Sequence, residues 1–357
     1  MTTKLKWGII TTGWIARKFA TDLLQSKTGR LVAVGARKLV DAEKFARDFG
    51  GDKCGSLGGD KCSSLGGARA HGSYEALLAD SEVQAVYIGT PHPLHKEWAI
   101  KAVQAGKHVL CEKPLTMSRA DTEEIVDAAR KHNVLLMEAH MYRFHPQTLK
   151  IVELVRGGAI GELRLIRASF NVMCNFDPEH RMFKKSLGGG AILDLGCYPV
   201  SFARHIAGVS AGKAFVEPVE FHGAGHIHSD VGTDDFATAV AKFPGGISAE
   251  LSCGSLVLND NSAQIYGTKG WIDVPNPFIP GLEGKAEKIF LHRAGSRNPE
   301  KISIKSPGVG LYAYEADAVA AAVARGDREV PLVTWADMLG NAAIIDAWLA
   351  AVGVKYN

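Results

Sequence analysis

Lys113 is the first residue of this sequence whose position could do chemistry. It lies in Cys111-Glu112-Lys113-Pro114, at the end of the run Lys107-His108-Val109-Leu110 in the first half of the chain, where a strand would deliver its ammonium to a bound cofactor. Upstream, Leu5 to Ile10 followed by Thr11-Thr12-Gly13-Trp14-Ile15-Ala16 reads as a buried strand, a tight glycine turn and a helix start. That arrangement holds a dinucleotide pyrophosphate against the first amides of a helix. Downstream, Gly188-Gly189-Gly190 leads into a segment that places Asp194 and Tyr198 four residues apart, one turn if the segment is helical. The three segments together point to hydride transfer; any one alone is weak.

The elements that must position these residues follow from periodicity. Between residues 5 and 140, strand and helix patterns alternate: strands over Leu31–Ala36, Val83–Gly89, His108–Cys111 and Val134–Glu138, and helices over Asp41–Phe49, Pro93–Ala105 and Arg119–His132. Alternation of this kind implies a doubly wound parallel sheet with helices on both faces and its ligand at the carboxyl ends of the strands. After Met141 comes one helix, Pro146–Arg156. Strands then run over Leu163–Phe170, Ala237–Phe243, Gly246–Leu251, Ser262–Tyr266 and Gly270–Val274, joined by short glycine-containing turns that imply a largely antiparallel sheet. Helices over Tyr312–Ala324 and Trp335–Val352 close the chain. We therefore expect an α/β protein: an NADP-binding Rossmann domain over residues 1–140 and a C-terminal α+β domain over 141–357 that binds substrate and forms oligomers. The terminal helix could pack back on the first domain.

A length of 357 residues allows two domains, each with its own core. An apolar fraction of 46% and a charged fraction of 22% are ordinary for a globular protein, and a net charge of +3 without a Lys/Arg block argues against nucleic acid as a partner. No apolar stretch is long enough to span a bilayer, and Met1-Thr2-Thr3-Lys4 leads directly into a strand, so a cytoplasmic protein is expected. The six cysteines are scattered, which fits reduced thiols. One oddity is Gly50 to Leu57, copied almost unchanged as Gly58 to Leu65. It reads as a surface loop. A zinc site from Cys54, Cys62 and His71 is conceivable, but the spacing matches no compact zinc pattern and a fourth ligand is absent, so no metal is expected.

The glycine turn departs from the usual G-x-G-x-x-G: Thr11 stands at the first glycine and Ala16 at the third, with only Gly13 in register. Alanine still permits close helix–strand approach, and threonine hydroxyls can donate to phosphate. Trp14 and Ile15 open the helix over the pyrophosphate. Where an NAD enzyme ends its second strand in a carboxylate, this chain has Gly35-Ala36-Arg37-Lys38, two cations suited to a 2'-phosphate, so NADP is expected in preference to NAD. Thr90-Pro91-His92 and His95 follow the next strand as a loop on the nicotinamide side, with His95 a candidate helix cap instead. Arg143 follows a strand end and could touch cofactor or substrate.

Thr90-Pro91-His92 with His95, Glu112-Lys113-Pro114, the segment Met141 to Pro146 and the Asp194 to Tyr198 segment fall in the order of one family. The chain resembles the glucose-fructose oxidoreductase, inositol dehydrogenase and rhizopine catabolism (Gfo/Idh/MocA) superfamily over essentially its whole length. The stretches Gly72 to Glu75, Tyr87 to Thr90 and Tyr266 to Gly270 are most similar to the branch of dimeric dihydrodiol dehydrogenases and NADP-dependent D-xylose 1-dehydrogenases. The resemblance implies that Lys113 is the catalytic lysine, that Glu112 belongs to the cofactor-binding motif, that Arg181 lies in a segment lining the substrate pocket, and that an exposed sheet face forms a homodimer or homotetramer. Many relatives carry histidine where this chain has Tyr198, which makes inositol dehydrogenase activity a poorer fit.

Oxidising an alcohol requires removal of the hydroxyl proton as hydride departs. Tyrosine, with a pKa of about 10, is a weak base near neutrality, and a nearby ammonium favours its phenolate. Tyr198 is accordingly expected to transfer the proton with Lys113 as electrostatic partner, although the two roles could be exchanged. Asp194 orients substrate or lysine, or else caps a helix. The substrate expected first is an aldose such as xylose, oxidised to its lactone; a trans-dihydrodiol comes second and a 3-keto sugar, reduced, third. Competing classes are a catalytically silent NADP-sensing regulator, which need not keep an acid/base pair, and a zinc-stabilised scaffold.

Overall fold

The computed structural model describes residues 4–49, 67–281, 286–306 and 309–356. The chain divides into two compact units, each assembled from separate stretches. The first comprises Met1–Leu115, Ala120–Met141 and Gly308–Trp335, and the second Thr116–Arg119, Tyr142–Pro307 and Ala336–Asn357.

In the first unit, β1 (Leu5–Ile10), α1 (Trp14–Leu23), β2 (Gly29–Gly35), α2 (Leu39–Phe49), β3 (Arg69–His71), α3 (Tyr74–Ala79), β4 (Ala85–Ile88), α4 (His95–Gln104), β5 (His108–Glu112), α5 (Arg119–His132, from Ala120 on) and β6 (Leu136–Ala139) alternate along the chain. The strands form one parallel sheet in the order β3-β2-β1-β4-β5-β6. Ile9, Ile10, Val86, Tyr87, Ile88, Val109 and Leu110 are all fully buried. Such unbroken apolar runs arise because helices cover both faces of the sheet. Helix α3 was not foreseen, yet its signal was present: the Ser73 hydroxyl accepts from the Ala76 amide at 3.1 Å, an N-cap.

The second unit holds α6 (Pro146–Arg156), α7 (Cys197–Ser210) and eight strands: β7 (Leu163–Asn171), β8 (Glu220–Ile227), β9 (Asp234–Phe243), β10 (Ile247–Gly254), β11 (Ala263–Gly267), β12 (Gly270–Val274), β13 (Glu287–Arg293) and β14 (Glu300–Ile304). They form a single sheet, β14-β13-β12-β11-β7-β10-β9-β8, antiparallel except for the β7–β10 pair. Helix α7 covers one face along β7 and β10. Every residue from Cys197 to Val209 is buried, so α7 has no polar stripe and its pattern is hidden from a periodicity reading. Strand β8 was missed for the opposite reason: Glu220 to Ile227 is exposed or half-buried throughout.

Helix α8 (Leu311–Arg325) belongs to the first unit and α9 (Trp335–Val352), from Ala336 on, to the second. A single division at residue 140 thus misses a late return of the chain. Here α8 packs on α1, where Asp22 accepts from the Tyr312 amide at 3.0 Å and leaves no room for a side chain at Gly310. Among the described residues no helix is long and apolar enough to cross a membrane. Cys54 and Cys62 of the duplicated segment lie outside the described residues, and His71 is held by Asp80 at 3.0 Å.

Candidate active site

The loops after β1, β4 and β5 leave the same edge of the parallel sheet, beside the point where strand order reverses. Thr11 has φ +89°, the conformation of the glycine it replaces, and its amide donates to Gly35 O at 3.0 Å. The backbone has kept the glycine turn without the glycine. Gly13 needs no such freedom: its φ is −66°, and a Cβ there would meet only the Thr11 hydroxyl, at 3.9 Å. The protein itself leaves that space open, which suits close approach of a pyrophosphate. Helix α1 then begins at Trp14 without a side-chain cap, so the first amides, including that of Ile15, are available to an anion. Trp14 is 69% exposed and Thr12 is half-buried. Fully buried Ala16 lets α1 sit close to the sheet.

Arg37 and Lys38 are exposed between β2 and α2, and neither has an ion-pair partner among the described residues. Thr90 is buried, its hydroxyl oxygen without a hydrogen-bond partner, next to exposed Pro91 and buried His92. An orphaned hydroxyl at the carboxyl edge, an open space at Gly13 and two exposed cations beyond β2 fit a phosphorylated dinucleotide.

Lys113, half-buried, directly follows β5. Two of the expected cofactor residues, Glu112 and His95, make bonds around it within the protein. Glu112 is only 6% exposed; its carboxylate accepts from the Tyr87 hydroxyl at 2.6 Å and from the Lys113 amide at 3.2 Å. Burial raises the pKa of this carboxyl, and the Lys113 charge opposes the rise. His95 is fully buried, with Nδ1 2.9 Å from Pro114 O and Nε2 2.7 Å from Thr90 O. It ties the β4 loop to the β5 loop. Burial, with the neighbouring His92, lowers its pKa to about 4, so the ring is neutral at pH 7 and donates to one carbonyl at a time.

In the second unit, a widened π-type turn over Ile192–Gly196 runs straight into α7. Asp194 lies in that turn and Tyr198 in the first turn of α7, so the expected helical segment exists in a broader form of a kind often found at functional sites. Tyr198 is 3% exposed, its ring boxed by Phe170 (4.9 Å between centroids), Phe278 (5.5 Å) and Tyr142 (5.9 Å). Asp194 is buried, at 5% exposure. Its two oxygens receive the Arg181 guanidinium at 3.2 and 3.3 Å, a fork geometry, with half of the Arg181 side chain exposed. Arg143 is 1% exposed, donates to the Ser201 hydroxyl at 3.0 Å and pairs with Asp337 at 3.2 Å, linking α7 to α9. Phe170, Phe278 and Ser201 were not foreseen, and nothing local in sequence marks Phe278. Among the described residues no group of three or more His, Cys, Asp or Glu is gathered as for a metal.

The model of an oxidoreductase family with an NAD-binding Rossmann fold matches residues 5–140, and that of the GFO/IDH/MocA C-terminal domain matches residues 148–273. The chain belongs to the Gfo/Idh/MocA oxidoreductase family. As the motifs implied, this oxidoreductase is similar to trans-1,2-dihydrobenzene-1,2-diol dehydrogenases. The one from Xenopus tropicalis is 35% identical over 358 residues, covering 98% of this chain and 99% of the relative. Among solved structures, a 3-ketoreductase from Actinomadura kijaniata in complex with NADP and TDP-benzene superposes with a TM-score of 0.82 at 28% identity, covering 98% of both chains. An aldose-aldose oxidoreductase from Caulobacter crescentus, at 22% identity and a TM-score of 0.82 with 98% of both chains covered, shares the fold.

Proposed function

We propose that this Gfo/Idh/MocA oxidoreductase is an NADP-dependent dehydrogenase acting on a hydroxyl-bearing carbon of a small polyhydroxylated ring, either an aldose oxidised to its lactone or a trans-dihydrodiol. The observation that carries the reading is Lys113, held by its own backbone at the carboxyl edge of the Rossmann sheet beside an open glycine turn. When bound, the nicotinamide accepts or returns the hydride. Thr11, Thr12, Gly13, Trp14 and Ile15 receive the pyrophosphate, Arg37 and Lys38 the 2'-phosphate, and Thr90, Pro91 and His92 the nicotinamide side. Tyr198 exchanges the substrate hydroxyl proton, the aromatic box fixing its ring. Lys113 supplies the positive charge that favours a developing alkoxide. Asp194 holds Arg181 so that its exposed guanidinium edge meets substrate hydroxyls. Reduction of a keto sugar is a second reading, favoured by the likeness to the 3-ketoreductase.

We further propose that the protein is cytoplasmic and forms homodimers or homotetramers through the sheet face carrying exposed Thr238, Val240, Lys242, Ser248 and Glu250. The test of function is nicotinamide absorbance with NADP or NAD against aldoses and trans-dihydrodiols, and with NADPH against keto sugars, for the native chain and Lys113→Ala. Lysine-dependent turnover that prefers the phosphorylated cofactor supports the proposal. Turnover untouched by loss of Lys113 removes its central role.

A further inference from the structure

Thr233 and Asp234, at the start of β9, are buried, at 1% and 0% exposure. The Thr233 hydroxyl donates to Phe183 O at 3.1 Å, and Asp234 Oδ2 accepts from the Ile192 amide at 2.6 Å. Adjacent residues at the entry to β9 therefore hold both ends of the segment between Arg181 and the Asp194–Tyr198 helix. From the end of the chain, the Tyr356 hydroxyl donates to Gly189 O. A Cβ on Gly190 would collide with Asp234 Oδ1 and lie 2.7 Å from the Tyr356 oxygen, so the two side chains face each other across a bare glycine, whose φ is +126°. At Gly189 a Cβ would come within 2.8 Å of Lys184 N and 2.9 Å of Arg181 O. The glycine turn is shaped on every side.

Asp234 Oδ1 is buried without a hydrogen-bond partner. Burial pushes the carboxyl up to about 7, opposed by the Ile192 amide and raised further by Asp235, which itself holds His226 at 2.9 Å. Cys253 on β10 and Tyr356 also face it, each with its pKa raised by burial first and by the Asp234 charge second. The protonated acid would place its hydrogen on the Tyr356 side, where the phenol oxygen can accept while donating to Gly189.

We propose that Asp234 and Tyr356 are positioning residues for the reaction: together they set the glycine turn from which the Asp194–Tyr198 helix springs, so that the last residues of the chain aim the proton-transfer group. The proposal rests on the assignment of Tyr198 made above. Its test uses full-length Asp234→Ala, Asp234→Asn and Tyr356→Phe beside Tyr198→Phe. For each, kcat and KM are measured with the best substrate of the panel, NADPH affinity by fluorescence, and amide exchange over residues 188–194. Asp234→Ala should lower kcat by about tenfold to a hundredfold, the size of loss that a small misplacement produces. NADPH affinity should stay within about twofold, because Asp234 bears on a helix and not on the dinucleotide turn. Exchange at Ala191 and Ile192 should quicken. Asp234→Asn should restore kcat to within about threefold, since an amide accepts from Ile192 and donates toward Tyr356. Tyr356→Phe should cost a few-fold in kcat and carries the test if Asp234→Ala does not fold. Native kcat and native exchange in both Asp234→Ala and Tyr356→Phe, with Tyr198→Phe inactive, would overturn the positioning alone. Full activity of Tyr198→Phe would remove the assignment beneath it.

Discussion

Replacing Thr11 by glycine should stabilise this protein, whereas replacing it by alanine should destabilise it. Thr11 holds φ +89° in the turn after β1, a region that side chains disfavour by about 1–3 kcal/mol and glycine enters freely. Against that relief, glycine adds unfolded-chain entropy worth about 0.4–1 kcal/mol. The threonine methyl also contributes: it lies 3.6 Å from where a Gly89 Cβ would stand, in a half-buried site, so its loss costs at most about 0.8 kcal/mol. The balance is a gain of about 1 kcal/mol, or about 2–4 °C in Tm for a cooperative unit of this size. Alanine keeps the strained backbone and forfeits the methyl and hydroxyl, so its Tm should fall by a similar amount. Thermal melts of the apoprotein, paired with urea titrations, read both changes. If the Thr11 hydroxyl donates to the pyrophosphate, glycine should also loosen NADP by about twofold to tenfold, the worth of one hydrogen bond. A glycine variant that melts below the native protein, or an alanine variant that matches it, would refute the strain argument.

Arg37→Ala should weaken NADPH by about tenfold to a hundredfold, as expected for a charge-assisted bond to phosphate, and leave NADH within about twofold; equal losses would contradict the 2'-phosphate assignment. Lys113→Ala and Tyr198→Phe should each lower kcat by about a hundredfold or more, and the double variant should fall little below the worse single one if both serve one proton transfer. Multiplying losses would show that they act separately. Burial depresses the pKa of His95 and His145 to about 4 and that of His205 to about 3, so all three fold as neutral rings. Their contribution is present above the unfolded value of about 6.5 and is lost as pH falls toward 4, so Tm should decline over that window. Asp234, raised to about 7, acts oppositely: its folded form holds a proton that the unfolded chain releases near 4, and stability from it fades as pH rises through 7. Asp234→Asn should therefore steepen the acid-side decline, and an unchanged or shallower one would place the proton elsewhere.

Much of the dinucleotide half was legible because its signals are local. Arg119–His132 shows its polar and apolar faces in sequence, β4 and β5 are short apolar runs between turns, and a glycine turn before a helix is a phosphate device whatever surrounds it. Arg37 and Lys38 could be read from what they replace. The second unit was less open: α7 has no polar face, β8 has no buried one, and the aromatic box around Tyr198 joins Phe170 on β7 to Phe278 in a distant loop.

What the amino-acid sequence determined by itself was the class of chemistry and a short set of candidates for it: Lys113 after a strand, Asp194 and Tyr198 on one helical segment, and a glycine turn with two cations beyond the second strand. What only the tertiary structure decided was which partners hold those residues and their neighbours. Glu112, His95 and Arg143 sit beside the motifs and bond to Tyr87 and the Lys113 amide, to two backbone carbonyls, and to Ser201 and Asp337. Asp234 and Tyr356, far away in sequence, close around the turn before Asp194. Spacing along a chain governs local geometry, but a buried polar atom takes whichever partner the packing brings to it, and unmet burial is expensive enough to settle that choice.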